Sequence, residues 1–126
     1  MGRYGDAAIR ATQYYLQSTA HKPEHAWEIA VEPFESRASR EKSCPRCAFL
    51  ALCEEGLIDG IPRGKYTKSK ANKTYAILAY LALISEPHLA ADQDALCVRA
   101  TGARPIRHNE QMDVVSALWR NGLIHP

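Results

Sequence analysis

At 126 residues and 14.0 kDa the chain has the length of one typical domain, and 46% apolar with 24% charged residues excludes collagen-like, linker-like and low-complexity classes. A net charge of +2 is too small to name a partner. No apolar stretch follows a basic N-terminal region as in a secretory signal, and the longest apolar run, Tyr75 to Ile84, has ten residues. A membrane span needs roughly 20. The expectation is a cytoplasmic chain with no membrane partner.

Almost every periodic signal is helical. Over residues 4–18, Tyr4, Ala8, Ala11 and Tyr15 form one stripe with Ala7 and Tyr14 beside it. Pro23 suits the first turn of a second helix, in which Ala26, Ile29, Ala30 and Phe34 share a face and Trp27 borders it. Residues 35–43 are polar throughout and read as a connecting loop. A helix follows near Pro45, with Cys44 expected at its cap because a residue before proline is pushed out of the helical region. Ala48, Phe49, Leu52 and Cys53 line its inner face, and Gly56 ends it.

Residues 57–67 are the one β candidate, a short hairpin that Pro62-Arg63-Gly64-Lys65 would turn. The next helix starts near Ser69, and its stretch 75–84 is apolar on every face, as expected at the centre of a bundle. Glu86-Pro87 ends it. Asp92 can cap a helix that closes at Gly102, and Asn109 can cap a last helix offering Met112, Val115, Leu118 and Trp119 to the core. Gly56-Leu57-Ile58 and Gly122-Leu123-Ile124 repeat one grammar, a capping glycine and then an apolar pair, which predicts two stops of the Schellman type. The fold expected is all-α, a compact bundle of about six helices around an apolar central one, forming a single domain over residues 1–126.

Three runs carry a family resemblance: Cys-Pro-Arg-Cys-Ala-Phe-Leu-Ala-Leu-Cys-Glu-Glu-Gly-Leu-Ile-Asp-Gly-Ile-Pro (44–62), Tyr-Thr-Lys-Ser-Lys-Ala-Asn-Lys-Thr-Tyr-Ala (66–76) and Gln-Met-Asp-Val-Val-Ser-Ala-Leu-Trp (111–119). With them the chain resembles a small bacterial family of unknown function over most of its length. The resemblance implies a compact bacterial protein of this size and brings no activity, cofactor or site.

Local charge is more informative than the total. Residues 60–85 hold five basic side chains and no acid, while the rest of the chain nets −3. The five are Arg63, Lys65, Lys68, Lys70 and Lys73. Ser69 is a good helix cap, which places Lys70 and Lys73 in a first turn where the macrodipole is already positive. Cations gathered against that gradient beside unpaired backbone N–H groups make an attractive seat for phosphate. Tyr66 adds a face on which a base could stack, and Gly64 permits close approach. Arg63, Lys65, Tyr66, Lys68, Ser69, Lys70 and Lys73 are therefore the candidate contacts for nucleic acid or another phosphate-bearing ligand, against the plainer account of a solvated rim. A helix followed by a hairpin also suggests a winged-helix layout by analogy.

Other chemistry is thinly represented. Cys44-Pro-Arg-Cys47 could supply two zinc ligands or a thiol-redox pair based on Cys44, but no second pair has zinc spacing and no strand–helix–strand context surrounds it. Cys47, Cys53 and Cys97 read as small apolar residues. His21, His25, His88, His108 and His125 lack a carboxylate at catalytic spacing, and Glu54 and Glu55 read as solvated charges. Neither a catalytic residue nor a cofactor is expected. A non-catalytic oligomerisation module using exposed Leu123 and Ile124 is the competing class.

Overall fold

The computed structural model describes residues 2–68, 70–102 and 109–126, without the side chains of Ala71, Asn72 and Asn109. The described elements are α1 (Arg3–Leu16), α2 (Pro23–Val31), α3 (Arg37–Arg40), α4 (Ser43–Glu54), α5 (Lys70–Ser85), a 3-10 turn (Pro87–Ala91), α6 (Gln93–Thr101) and α7 (Asn109–Arg120). The fold is all-α. One apolar core runs from Tyr4 in α1 to Ile124 beyond α7.

Small side chains decide how closely the helices approach. Gly5 faces α7 so tightly that a Cβ there would lie 2.7 Å from the Ala117 Cβ and 2.7 Å from Oδ1 of Asp113. Asp113, buried, uses that proximity: its Oδ1 accepts from the Gly2 N–H at 3.0 Å and its Oδ2 from the Gly5 N–H at 2.8 Å. A side chain of α7 thus serves the orphan donors at the start of α1. Pro23 opens α2 as its chemistry requires. Trp27, expected at the edge of that helix's apolar face, is buried and stacks on Phe49 with centroids 5.5 Å apart.

Three expected boundaries shift. Within the polar stretch 35–43, residues Arg37–Arg40 make a single turn, with the Ser36 hydroxyl accepting the Ser39 N–H at 3.0 Å. Helix α4 begins at Ser43 after Lys42, so Cys44 stands inside the first turn rather than at the cap. Asp92 caps α6 as expected, accepting the Ala95 N–H at 3.1 Å, and Gly102 closes it at φ 70°. Asn109, expected as the cap of α7, is instead its first helical residue.

The stops after α4 and α7 have the predicted geometry. Leu57 N–H reaches Leu52 O at 3.0 Å and Gly56 N–H reaches Cys53 O at 3.0 Å, while Leu123 and Gly122 repeat this on Leu118 and Trp119 at 2.9 and 3.1 Å. The two tails then meet, Asp59 N–H donating to Leu123 O at 3.0 Å. Ile58 and Ile124 are both buried and Leu123 half-buried, which corrects the expectation that Leu123 and Ile124 form an exposed patch.

The helices enclosed most completely are α4, buried from Cys47 to Cys53, and α7, buried from Gln111 to Leu118. The apolar helix α5 packs on α4, α6, α7 and the 3-10 turn through Ala76, Ala79, Tyr80, Ala82 and Leu83. Its other side, with Leu78, Leu81 and Ile84, is exposed, so α5 is enclosed on one face only. Ala76, Ala79 and Ala82 lie on the packed face, where they allow near approach, while Leu78, Leu81 and Ile84 point out.

The hairpin at 57–67 is not formed: among the described residues this segment contains no strand. Its backbone donors go elsewhere. Tyr66 N–H and Thr67 N–H are taken by Oε1 of Glu54, at 2.8 and 3.3 Å, and Gly64 N–H by the Glu54 carbonyl at 3.4 Å. One helix terminus thus accepts what a facing strand would have accepted, and the winged-helix analogy goes with the hairpin.

Candidate anion-binding groove

The end of α4, the loop 61–68 and the start of α5 surround a groove of about 850 Å³, to which Glu24 of α2 also contributes. Its charge arrangement follows from two helix ends that are each unfavourable alone. Glu54 and Glu55 sit at the carbonyl-rich end of α4, where the dipole disfavours anions, and Lys70 and Lys73 at the start of α5, where it disfavours cations. Folding sets the two ends against each other. Lys73 Nζ donates to Glu54 Oε2 at 2.6 Å and to Glu55 Oε1 at 2.9 Å, and Arg63 reaches Glu55 Oε2 at 3.3 Å.

Protonation equilibria follow this arrangement. Burial alone would push the Glu54 carboxyl up, but the Lys73 ammonium with the Tyr66 and Thr67 N–H groups holds it below the ordinary carboxylate range. Glu55 is lowered by Lys73 first and then by Arg63, and Lys73 is raised by the hydrogen bonds to Glu54 and Glu55. The cluster is therefore ionised across the neutral range. Glu54 and Glu55, expected to be solvated charges, instead anchor the loop.

The predicted contacts separate into three groups. Arg63 and Lys73 are committed to carboxylates, Arg63 loosely because it is well exposed. Lys65, Lys68 and Lys70 line the same groove, are exposed, and have no ion pair among the described residues. Tyr66 is half-buried with its hydroxyl donating to Pro62 O at 2.8 Å, and its ring lies where a Cβ on Gly64 would meet it at 2.7 Å. Its ring packs over Gly64, where any larger residue would displace it. Ser69 lies outside the described residues. Counted over its lining, the groove has five cations against three carboxylates and stays positive.

Sequence reasoning missed the acidic half of this site. The usable signal was the neighbouring composition: the acid-free stretch 60–85 directly follows residues 44–59, where acids outnumber bases three to one. Such adjacent blocks pair readily when a turn brings their helix ends together.

The cysteines give the thiol-redox alternative no support. All four are free thiols, with Cys47, Cys53 and Cys97 buried. Burial, with the nearby Glu110 carboxylate adding to it, raises the pKa of Cys44, the opposite of what a thiolate nucleophile requires. Among the described residues no group of three or more His, Cys, Asp or Glu side chains is placed to hold a metal ion, and no helix is long and apolar enough to cross a membrane.

Residues 1–125 match a family described as "Family of unknown function (DUF6979)". The chain belongs to that family. Coverage of nearly the whole length agrees with the resemblance seen in the three sequence runs, which sit in α4 and the loop after it, across the start of α5, and in α7. No curated protein and no solved structure matches the chain. Membership in the family assigns no chemistry, so the groove must be read from its own residues.

Proposed function

We propose that the chain is a non-catalytic binding protein that engages a phosphate-bearing anion, nucleic acid first among them, through segment 63–73. One observation carries the reading: Lys65, Lys68 and Lys70 have no ion pair among the described residues and line one groove whose remaining cations are already held by Glu54 and Glu55. The inner ion pairs fix the loop, so the three lysines are presented from a positioned scaffold rather than a floppy tail. Lys70 also opens α5, at the positive end of its dipole.

Contacts of this kind bind backbone phosphate and carry no sequence information. The test is titration of labelled single- and double-stranded oligonucleotides across a salt series. Three phosphate contacts predict that log K falls against log salt with a slope of about −2.7 on duplex DNA. Joint Lys65→Glu, Lys68→Glu and Lys70→Glu replacement should remove binding and flatten the slope. Equal affinity in that variant, or none in the wild type, overturns the reading.

A further inference from the structure

We infer that Glu24 reads the base of the ligand in the anion groove, and that this base is an unpaired guanine. The inference rests on the anion reading of the groove and adds what the phosphate is attached to. Glu24 lies in the first turn of α2 and lines the groove together with Lys65, Lys68 and Lys70. Its Oε1 is buried without a hydrogen-bond partner, and among the described residues it makes no ion pair. The other two carboxylates of the groove are engaged, Glu54 and Glu55 holding Lys73 and Arg63, and Glu54 also the Tyr66 and Thr67 N–H groups. The groove thus keeps three cations and one carboxylate that do not neutralise each other. Inorganic phosphate would answer the lysines while leaving Glu24 repelled and still short of a donor. A ligand that suits both must carry N–H donors at a distance from its phosphate.

An ionised carboxylate is an acceptor on both oxygens. Among the bases, guanine alone sets two N–H donors side by side, the ring N–H and the amino group of its Watson–Crick edge. Adenine and cytosine set an amino group beside a ring-nitrogen acceptor, and thymine and uracil flank one N–H with two carbonyls. Each of those acceptors would face a carboxylate oxygen. The terminal torsion of glutamate is soft, so the carboxylate can turn its fork to the groove without movement of α2. Tyr66 is close by: burial, then Tyr15, Cys53 and the Glu24 charge, raise the pKa of its hydroxyl. Its half-buried ring lines the same groove and offers a stacking face. In a duplex the Watson–Crick edge is already paired, so the guanine belongs to a single strand or a free nucleotide.

Thymine strands of about 12 nucleotides, carrying guanine, adenine or cytosine at intervals, separate the bases by fluorescence anisotropy at fixed salt. The guanine strand should bind about tenfold more tightly than the other two. Hypoxanthine in place of guanine, which lacks only the amino group, should lose most of that preference. Glu24→Gln should weaken binding of the guanine strand and strengthen binding of the adenine and cytosine strands, since it breaks the fork for one and removes a repelling charge for the others. If all strands gain alike in this variant, Glu24 only repels and the inference is overturned. Equal wild-type affinity for every base, or for hypoxanthine and guanine, overturns it too and leaves the anion reading standing. No binding by the wild type, or undiminished binding in the joint Lys65→Glu, Lys68→Glu and Lys70→Glu variant, removes both. Guanosine monophosphate should compete better than adenosine monophosphate. Competition as strong as that of the guanine strand assigns the site to a free nucleotide, and much weaker competition assigns it to nucleic acid.

Discussion

Glu55 and Lys73 illustrate how one contact redistributes the meaning of a charge cluster. Five cations in a run without acids look like a single electrostatic unit, yet Lys73 is satisfied by two carboxylates and Arg63 by one of them. The division has a consequence for binding. Glu55→Gln should release Arg63 while Glu54 still holds Lys73 and the loop. Oligonucleotide affinity at low salt should then rise, and the salt slope should steepen by about one unit as a fourth phosphate contact becomes available. Equilibrium titration of the variant across salt checks this, and an unchanged slope would mean that Arg63 does not reach the ligand.

At the scale of elements, the helix stops are the most regular feature of the molecule. Helix α1 ends with the same bond pattern as α4 and α7: Thr19 N–H donates to Tyr14 O at 2.9 Å and Ser18 N–H to Tyr15 O at 3.1 Å. Here the residue in the left-handed conformation is Ser18, at φ 61°, where the other two stops use Gly56 and Gly122. A Cβ in that region costs energy that glycine avoids, partly offset by the greater freedom of glycine in the unfolded chain. Ser18→Gly should therefore stabilise the protein by about 0.5–1 kcal/mol, read as a higher midpoint in urea denaturation. Serine carries none of the signal that marks the other stops, and the end of α1 was legible only as the end of its periodic stripe. Helix α5 shows the converse. Its all-round apolar pattern foretold a helix, but composition cannot say which side of such a helix lacks a neighbour.

For the whole molecule, ion pairs and tail contacts close the structure between distant parts of the chain. Lys42 donates to Glu110 at 2.5 Å, Tyr80 hydroxyl to His125 O at 2.8 Å, and Lys73 joins α5 to α4. Glu54, Glu55 and Glu110 all titrate below the usual 4.5 in the folded protein; for Glu110 burial works upward and the Lys42 ammonium prevails. Their stabilisation is complete above the unfolded value and drains away as pH falls through the lowered ones. Lys42 and Lys73 are raised above 10.5, each chiefly by its hydrogen-bonded glutamate, so their contribution persists to 10.5 and is lost as pH climbs beyond it. Thermal unfolding followed by circular dichroism should show a plateau between these limits with an acid limb. Glu54→Gln should lower the plateau and shrink that limb. An acid limb of unchanged size in the variant would count against the pairing.

What the chain determined by itself was local. The periodic stripes of α1, α4 and α7, the glycines at 56, 102 and 122, the cap at Asp92 and the proline opening α2 all act through neighbours a few residues away, and each was readable. Only the tertiary structure decided where α5 stands, that Leu123 and Ile124 turn inward, that Glu54 replaces a facing strand for residues 64–67, and which lysines Glu54 and Glu55 engage. Each of these depends on a partner between eight and more than sixty residues away along the chain, and spacing within a segment contains no information about what folds back against it.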